Sequence, residues 1–382
     1  MDTKHLAINW TDGVKITQEH FHQSNAHMTD SIRELATMLL TDHNYGLIYP
    51  IEGEKDAFSY TTVVHTQERL SIKLDHCNAI TQGGHHIYYD PKLYGDFQPV
   101  ASIEAKNLDS NTTITFLLLL TIEPFEHVPV GRPDPENIPL HHPYVMPKIT
   151  MHLVSQSQFN ASFLQTHHLI LGKVEWKNMC FVLDKDYIPP TSKIKYHPAL
   201  SLFQKRATTV LVNLRSYCLI INRKNQNQFT NNKLSNNTFK LCLKVMDFVG
   251  EFIFQYSQIA KEQSPIFIPQ SISVLGNYFS NELAMIPETE KEELLQYFYE
   301  WVDIKPSELE QVIGGIIDVQ YVHTEISSML KNMDYFMAII ERLWKKLSDL
   351  EYIGQRKDNI VVSEDKFTLR DNQQQNSWSI ID

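Results

Sequence analysis

Polar and apolar positions change rhythm twice along the chain. Between residues 17 and 40, Phe21, Met28, Ile32, Leu35 and Leu39 recur at helical spacing. Thr17 stands ahead of them as a cap and Glu19 lies in the first turn, where it favours the helix dipole. From 46 to 183 the pattern becomes short runs rich in Val, Ile, Thr, Tyr and Phe: YTTVVHTQ, RLSIKL, HHIYYD, ITFLLLLTI, KITMHLV, HHLILGKVEW and MCFVLD. Turn formers separate these runs, among them Asp75, Gly83-Gly84, Asp109-Ser110-Asn111 and the stretch from Gly131 to Pro139. Such punctuation predicts short antiparallel strands in a sandwich or barrel.

The segment DYIPPTSKIKYHPAL, residues 186 to 200, marks the second change. Pro189-Pro190 is extended, and Pro198 stands where a helix can begin. Beyond it SLFQKRATTVLVNLRSYCLIIN and FKLCLKVMDFVGEFIFQYSQIAK read as two helices, joined by the Asn-rich connector RKNQNQFTNNKLSNNT. Two shorter helices are expected near 270 to 285 and 288 to 301.

The last helix, opening at Pro306, carries the longest periodicity. Leu309, Val312, Ile316, Val319, Ile326, Leu330, Met333, Met337, Ile340, Trp344 and Leu347 fall on an alternating three-four spacing, broken only by His323. A sustained period of 3.5 keeps one stripe on a partner helix, so these residues are a candidate oligomerisation seam. The same stripe also fits a helix packed in its own bundle, because Gly314-Gly315 weakens the helix by about 2 kcal/mol. His323 is a candidate for fixing register or sensing pH. The expected fold class is therefore segregated α+β: an N-terminal antiparallel β-sandwich on residues 1–188, an α-helical bundle or coiled-coil neck on 189–352, and a polar tail on 353–382 with one strand-like piece, NIVVSEDKFTL.

Composition narrows the function classes. With 382 residues, 42% of them hydrophobic, the chain is long enough for two domains with sizeable cores. A formal net charge of -11 with no block of Lys and Arg opposes nucleic acid as a partner. The start MDTKHLAINW lacks the apolar run of a signal peptide, and ITFLLLLTI is too short to span a bilayer, so a cytoplasmic location is expected. Cys77, Cys180, Cys218 and Cys242 have neither zinc-ribbon nor disulfide-framework spacing and are expected as buried thiols.

Candidate chemistry is sparse. His20 and His22 are two apart, which puts them on different helix faces. In His85-His86, His141-His142 and His167-His168 the neighbours would point to opposite sides of a strand, although distant histidines can still converge in the fold. No GxSxG, cysteine-protease signature or phosphate loop is present, and the acids of ETEKEELLQ and SELEQ read as solvated helix faces. The expectation is a chain with no catalytic residues, no metal and no cofactor.

The segment WTDGVKITQEHFHQ, residues 10 to 23, has an architectural explanation instead. Asp12-Gly13 supplies a turn, the helix from Thr17 is launched at a fixed angle, and Trp10 and Phe21 are expected to pack inward. This stretch resembles the opening signature of TssK, the baseplate subunit of type VI secretion systems. Trp10, Asp12, Gly13, Val14, Ile16, His20 and Phe21 stand at matching positions, while Gln18-Glu19 replaces the usual Pro-Gln. LSIKLDHCNAITQGGHHIYYD, residues 70 to 90, and DYIPPTSKIKYHPAL are similar to two further family segments in the same order, so the resemblance covers roughly 8 to 325.

The resemblance implies a homotrimer whose β-rich shoulder, related to those of phage receptor-binding proteins, is held by the baseplate subunits TssF and TssG. Trp10, Asp12, Gly13, His20 and Phe21 would form its N-terminal hook and baseplate interface. It also implies a place at the inner face of the inner membrane, through an apparatus that the family's C-terminal head domain docks to the membrane complex. About thirty residues follow the last helix, too few for that head. A variant is expected in which the tail, the neck tip or another subunit docks. A phage-tail-like receptor-binding or adhesin protein is the alternative, and a hydrolase or metalloenzyme built from the paired histidines a remoter one.

Overall fold

The computed structural model describes residues 4–66, 69–108, 112–136, 138–139, 141–159, 167–226 and 232–356. The turn at Asp109-Ser110-Asn111, the middle of the Asn-rich connector and the strand-like piece of the tail lie outside the described residues. The chain divides into two compact units. One comprises Met1–Gln204, Ala260–Phe267 and Tyr321–Met329, the other Lys205–Ile259, Ile268–Gln320 and Leu330–Asp382.

In the first unit α1 (Gln18–Leu39) precedes two antiparallel sheets. The first is built around β3 (Arg69–Ile80), which pairs with β1 (Gly46–Leu47), β2 (Phe58–Thr66), β4 (His86–Tyr89) and β5 (Val100–Glu104). A short helix, α2 (Pro91–Tyr94), connects β4 to β5. The second sheet has the order β7-β6-β8-β9, with β6 at Ile114–Val130, β7 at Tyr144–Ser155, β8 at His168–Lys177 and β9 at Cys180–Leu183.

Ile72, Leu74, Ala79 and Ile87 from the first sheet share one core with Leu118, Leu120, Leu169 and Trp176 from the second. The run FLLLLTI in β6 shows no alternation because both of its faces are covered. Leu118 and Leu120 enter the main core, while Leu117 and Leu119 pack with Ile170 and Tyr187 in a second cluster. Two strands escape the sequence pattern: β1 is two residues long, and β5 is mostly solvated.

The Pro-Pro segment lies along β1. The Leu47 N–H donates to the Pro190 carbonyl at 2.8 Å, and the Ser192 N–H returns to the Leu47 carbonyl at 2.9 Å. Gly46, at φ +102°, makes this approach possible, since a Cβ there would lie 1.9 Å from the Pro190 oxygen.

Helices begin at Pro198, as the sequence indicates: α3 (Pro198–Gln226), α4 (Lys233–Phe254), α5 (Phe267–Ala284) and α6 (Glu288–Val302). They are followed by α7 (Pro306–Ile317) and α8 (Ile326–Asp349). In the helical unit Leu214, Phe248, Leu275, Phe298 and Ile340 are all buried, and Phe279 meets the buried Trp344 edge-on at 5.3 Å. Lys224 donates to the Ser348 and Leu350 carbonyls at 2.6 and 2.5 Å, satisfying acceptors at the end of α8.

One continuous last helix is not what forms. The stripe is divided between α7 and α8, with 318–325 non-helical between them. The glycines expected to weaken it, Gly314-Gly315, lie within α7, and the break follows Ile317. Leu309, Ile316, Ile326, Met333, Met337, Ile340, Trp344 and Leu347 are buried in the single chain, and Val312, Val319 and Leu330 are partly buried. Their apolar surface is used within the monomer, which corrects the expectation of a free 3.5-residue seam. The cause is the intervening chain, which leaves the helix to bury His323 at 5% exposure.

Cys77, Cys218 and Cys242 are buried, and Cys180 is only half-buried.

Candidate interface at the N-terminal segment

The hook is held by local contacts. Val14 N–H donates to the Thr11 carbonyl at 3.3 Å, closing a turn whose Gly13 has φ +84°. Thr17 N–H donates to His20 Nδ1 at 3.1 Å, so the ring at the third helical position caps the backbone ahead of the helix. Trp10 lies against the same ring, with centroids 5.6 Å apart.

Trp10 and Phe21 do not pack inward: they are 53% and 61% exposed. Asp12 and Gly13 are also exposed, and His20 is partly buried. The reason lies in α1 itself, whose inward face is polar. Its one fully buried residue is Asp30. Asp30 Oδ2 accepts from the His5 backbone N–H and the His5 ring, both at 2.8 Å, and Arg33 lies 3.7 Å from Oδ1. Burial alone would raise the Asp30 pKa, but the His5 hydrogen bonds and the Arg33 charge outweigh it and hold the carboxyl below its usual value. His27 Nδ1 donates to the His5 carbonyl at 2.9 Å, and the His5 ring lies tilted against Phe125 with centroids 4.3 Å apart. Close contact with the β-rich part comes at Gly84, where a Cβ would lie 2.8 Å from the Arg33 carbonyl oxygen.

The outward face is apolar. Phe21, Met28, Ile32 and Leu35 are 60–63% exposed, and Met38 and Leu39 are 79% and 75% exposed. A groove of about 460 Å³ runs beside this helix, bordered by Asn25, Thr29, Phe125 and Val145. The spacing of the apolar residues was legible in the sequence, but its direction was not, because the hydrogen bonds that hold the polar face inward join Asp30 to a residue 25 positions earlier.

The paired histidines make separate contacts. His85 is buried and stacks on His167 at 4.5 Å, so two distant histidines do converge. His168 Nδ1 and the Thr121 hydroxyl are 2.7 Å apart, and His142 bonds the Gly131 carbonyl at 2.7 Å. Among the described residues no group of three or more His, Cys, Asp or Glu is placed to hold a metal ion. His20 and His22 bond separately, to Thr17 and Gln18.

No protein-family model and no curated protein matches the chain. Solved structures do. A crystal structure of TssK aligns with a TM-score of 0.53 at 13% identity, over 89% of this chain and 70% of that one. A chain of the baseplate complex from the type VI secretion system aligns at 0.54 and 12% identity, over 90% of this chain and 100% of that one. The fold is that of TssK. At such identity the likeness is one of architecture, with antiparallel sheets first and helices after. In the TssK fold described here, no helix among the described residues is long and apolar enough to cross a membrane.

Proposed function

We propose that this chain is a structural baseplate component of a type VI secretion system, a homotrimeric adaptor that links the TssF/TssG wedge to the membrane-anchoring complex. The observation that carries the reading is the TssK fold over nine-tenths of the chain, matched also by a whole chain of a baseplate complex. We assign residues 1–188 to a β-sandwich shoulder, 189–352 to a helical neck and 353–382 to a tail. The work is attachment without catalysis: three copies let several modest contacts act as one strong one. The chain would then sit on the cytoplasmic side of the inner membrane, attached through the apparatus.

The exposed Trp10 and the turn at Asp12 and Gly13, fixed by His20, form the hook that meets a baseplate subunit, with Phe21 at its edge. Support comes from their exposure, since an architectural hook for this chain alone would bury the indole. Removal of the gene from its host tests the reading. Loss of fluorescently tagged baseplate foci, restored by the intact chain, is expected; normal assembly without it, or glycan binding by the purified protein, would point to a receptor-binding protein instead.

A further inference from the structure

We propose that Cys218 and Cys242 are a redox-active pair, which hydrogen peroxide converts into an intrachain disulfide that staples α3 to α4. Ser235 Oγ donates to Asn225 Oδ1 at 2.9 Å, which sets the register of the two helices on either side of the connector. Cys218 lies seven residues before Asn225 and Cys242 seven after Ser235, so about two helical turns bring them face to face. The Cys242 thiol reaches across and donates to the Cys218 backbone carbonyl at 3.7 Å. Both residues are 1% exposed. The other two cysteines, Cys77 and Cys180, belong to the β-rich unit.

Trp344 of α8 makes the pair unsymmetrical. Its fully buried indole Nε1 has no oxygen or nitrogen acceptor among the described residues and lies within hydrogen-bonding reach of both sulfurs. The bond between the two thiols raises the Cys218 pKa, and burial adds to the rise. The same bond, helped by Trp344, holds Cys242 below its usual value against the effect of burial. Cys242 is thus the sulfur that loses its proton first. Its thiolate attacks one peroxide oxygen, the O–O bond breaks, and the departing hydroxide takes up the released proton as water. The Cys218 sulfur then attacks the sulfenic sulfur, the S–O bond breaks, and a second water leaves with the Cys218 proton. The two thiols give up two electrons in all and the peroxide gains them. Burial admits the oxidant only through brief local opening of the hairpin, which suits a small neutral molecule and excludes bulky disulfides. The bond closes a loop of about 25 residues, restricting the unfolded chain.

The test uses the full-length protein, treated while native with a hydrogen peroxide series, quenched with N-ethylmaleimide and digested. Mass spectrometry should find the Cys218 and Cys242 peptides joined by a disulfide, lighter by two hydrogens than the two free thiol forms, and dithiothreitol should release them. The oxidised protein should melt about 5–10 °C above the reduced one. Cys218→Ala and Cys242→Ala should each remove the cross-link and the shift, whereas Cys180→Ser should keep both. Three results on wild type would each overturn the proposal: both cysteines still taking up N-ethylmaleimide when the peroxide-treated protein is unfolded, Cys242 carried on to the sulfinic acid without a cross-link, or a cross-link that forms only in denaturant. A cross-link with an unchanged melting temperature would overturn the stapling. These readings come from the natural chain, so they decide the matter even where an alanine variant fails to fold.

Discussion

His323 and Tyr45 lie 278 positions apart in the sequence, and the ring Nε2 of the first donates to the backbone carbonyl of the second at 3.0 Å. That bond fixes the tautomer: Nδ1 is left to accept from the Tyr321 hydroxyl at 2.6 Å. The Tyr45 ring meets the imidazole edge-on at 4.6 Å. Nearby, Lys173 pairs with Glu325 at 2.5 Å, and Ile188 N–H donates to Ser327 Oγ at 2.8 Å. Residues 321–329 are thus tied to the β-rich unit by buried and half-buried polar bonds, and His323 is a strut of that unit.

The strut has a pH signature. Burial pushes the His323 pKa down from 6.5 to about 4, against the opposing effect of its bond to Tyr45. The unfolded chain therefore takes up the proton first. The contribution of neutral His323 is full above about pH 6.5 and is lost as pH falls through about 4, amounting to about 3 kcal/mol over that window. His323→Leu should cost about 2–4 kcal/mol at pH 7.5, by orphaning the Tyr45 carbonyl and the Tyr321 hydroxyl. The gap to wild type should narrow on acidification. Denaturant titrations of both proteins between pH 4 and 7.5 check this; a gap that does not change with pH would contradict it.

Asp30 behaves in the same sense, at a lower pH. Its folded pKa is held below the ordinary value of 3.8, so its contribution is present above that value and lost as pH falls below it. Asp30→Ala removes the acceptor for the His5 backbone and ring and the counter-charge of Arg33. A loss of about 2–4 kcal/mol is expected at pH 7, with increased hydrogen exchange in residues 4–8 and along α1. Exchange rates unchanged from wild type would show that Asp30 does not anchor the helix.

The hook makes a contrasting prediction. Because Trp10 and Phe21 are more than half exposed, replacing both by Ala should move stability by no more than about 0.5–1 kcal/mol. Capture of baseplate subunits by the same double variant should fall at least about tenfold, corresponding to roughly 1.4 kcal/mol. A large drop in melting temperature would mean that these side chains are buried after all.

Gly46 tests the Pro-Pro junction. An added methyl would meet the Pro190 carbonyl oxygen at 1.9 Å, in a backbone conformation that already disfavours an L side chain. Gly46→Ala should cost at least about 3 kcal/mol, whereas Gly53→Ala, also at positive φ but with open space around its Cβ, should cost about 1 kcal/mol. Equal losses in the two variants would remove the steric argument.

Much of the architecture was written in local pattern. The β6 run, the start of α3 at Pro198 and the span of α1 follow from composition and periodicity, because each is decided by residues close together in sequence. What escaped was decided at long range. The stripe from Leu309 to Leu347 reads as one seam because Val319 and Ile326 happen to be seven apart, yet the backbone between them unwinds to bring His323 to Tyr45. Phe21 looks like a core residue until Asp30 is found on the buried side of its helix. The histidine pairs likewise gave no hint that His85 would stack on His167, because nothing local links residues 82 positions apart.

The most direct measurement is the native mass of the assembly formed when the full-length chain is co-expressed with TssF and TssG from the same genome. The account predicts a stable complex that contains this chain in multiples of three. Recovery of the chain alone, with TssF and TssG bound to each other and not to it, would contradict the baseplate reading, whatever the likeness of fold.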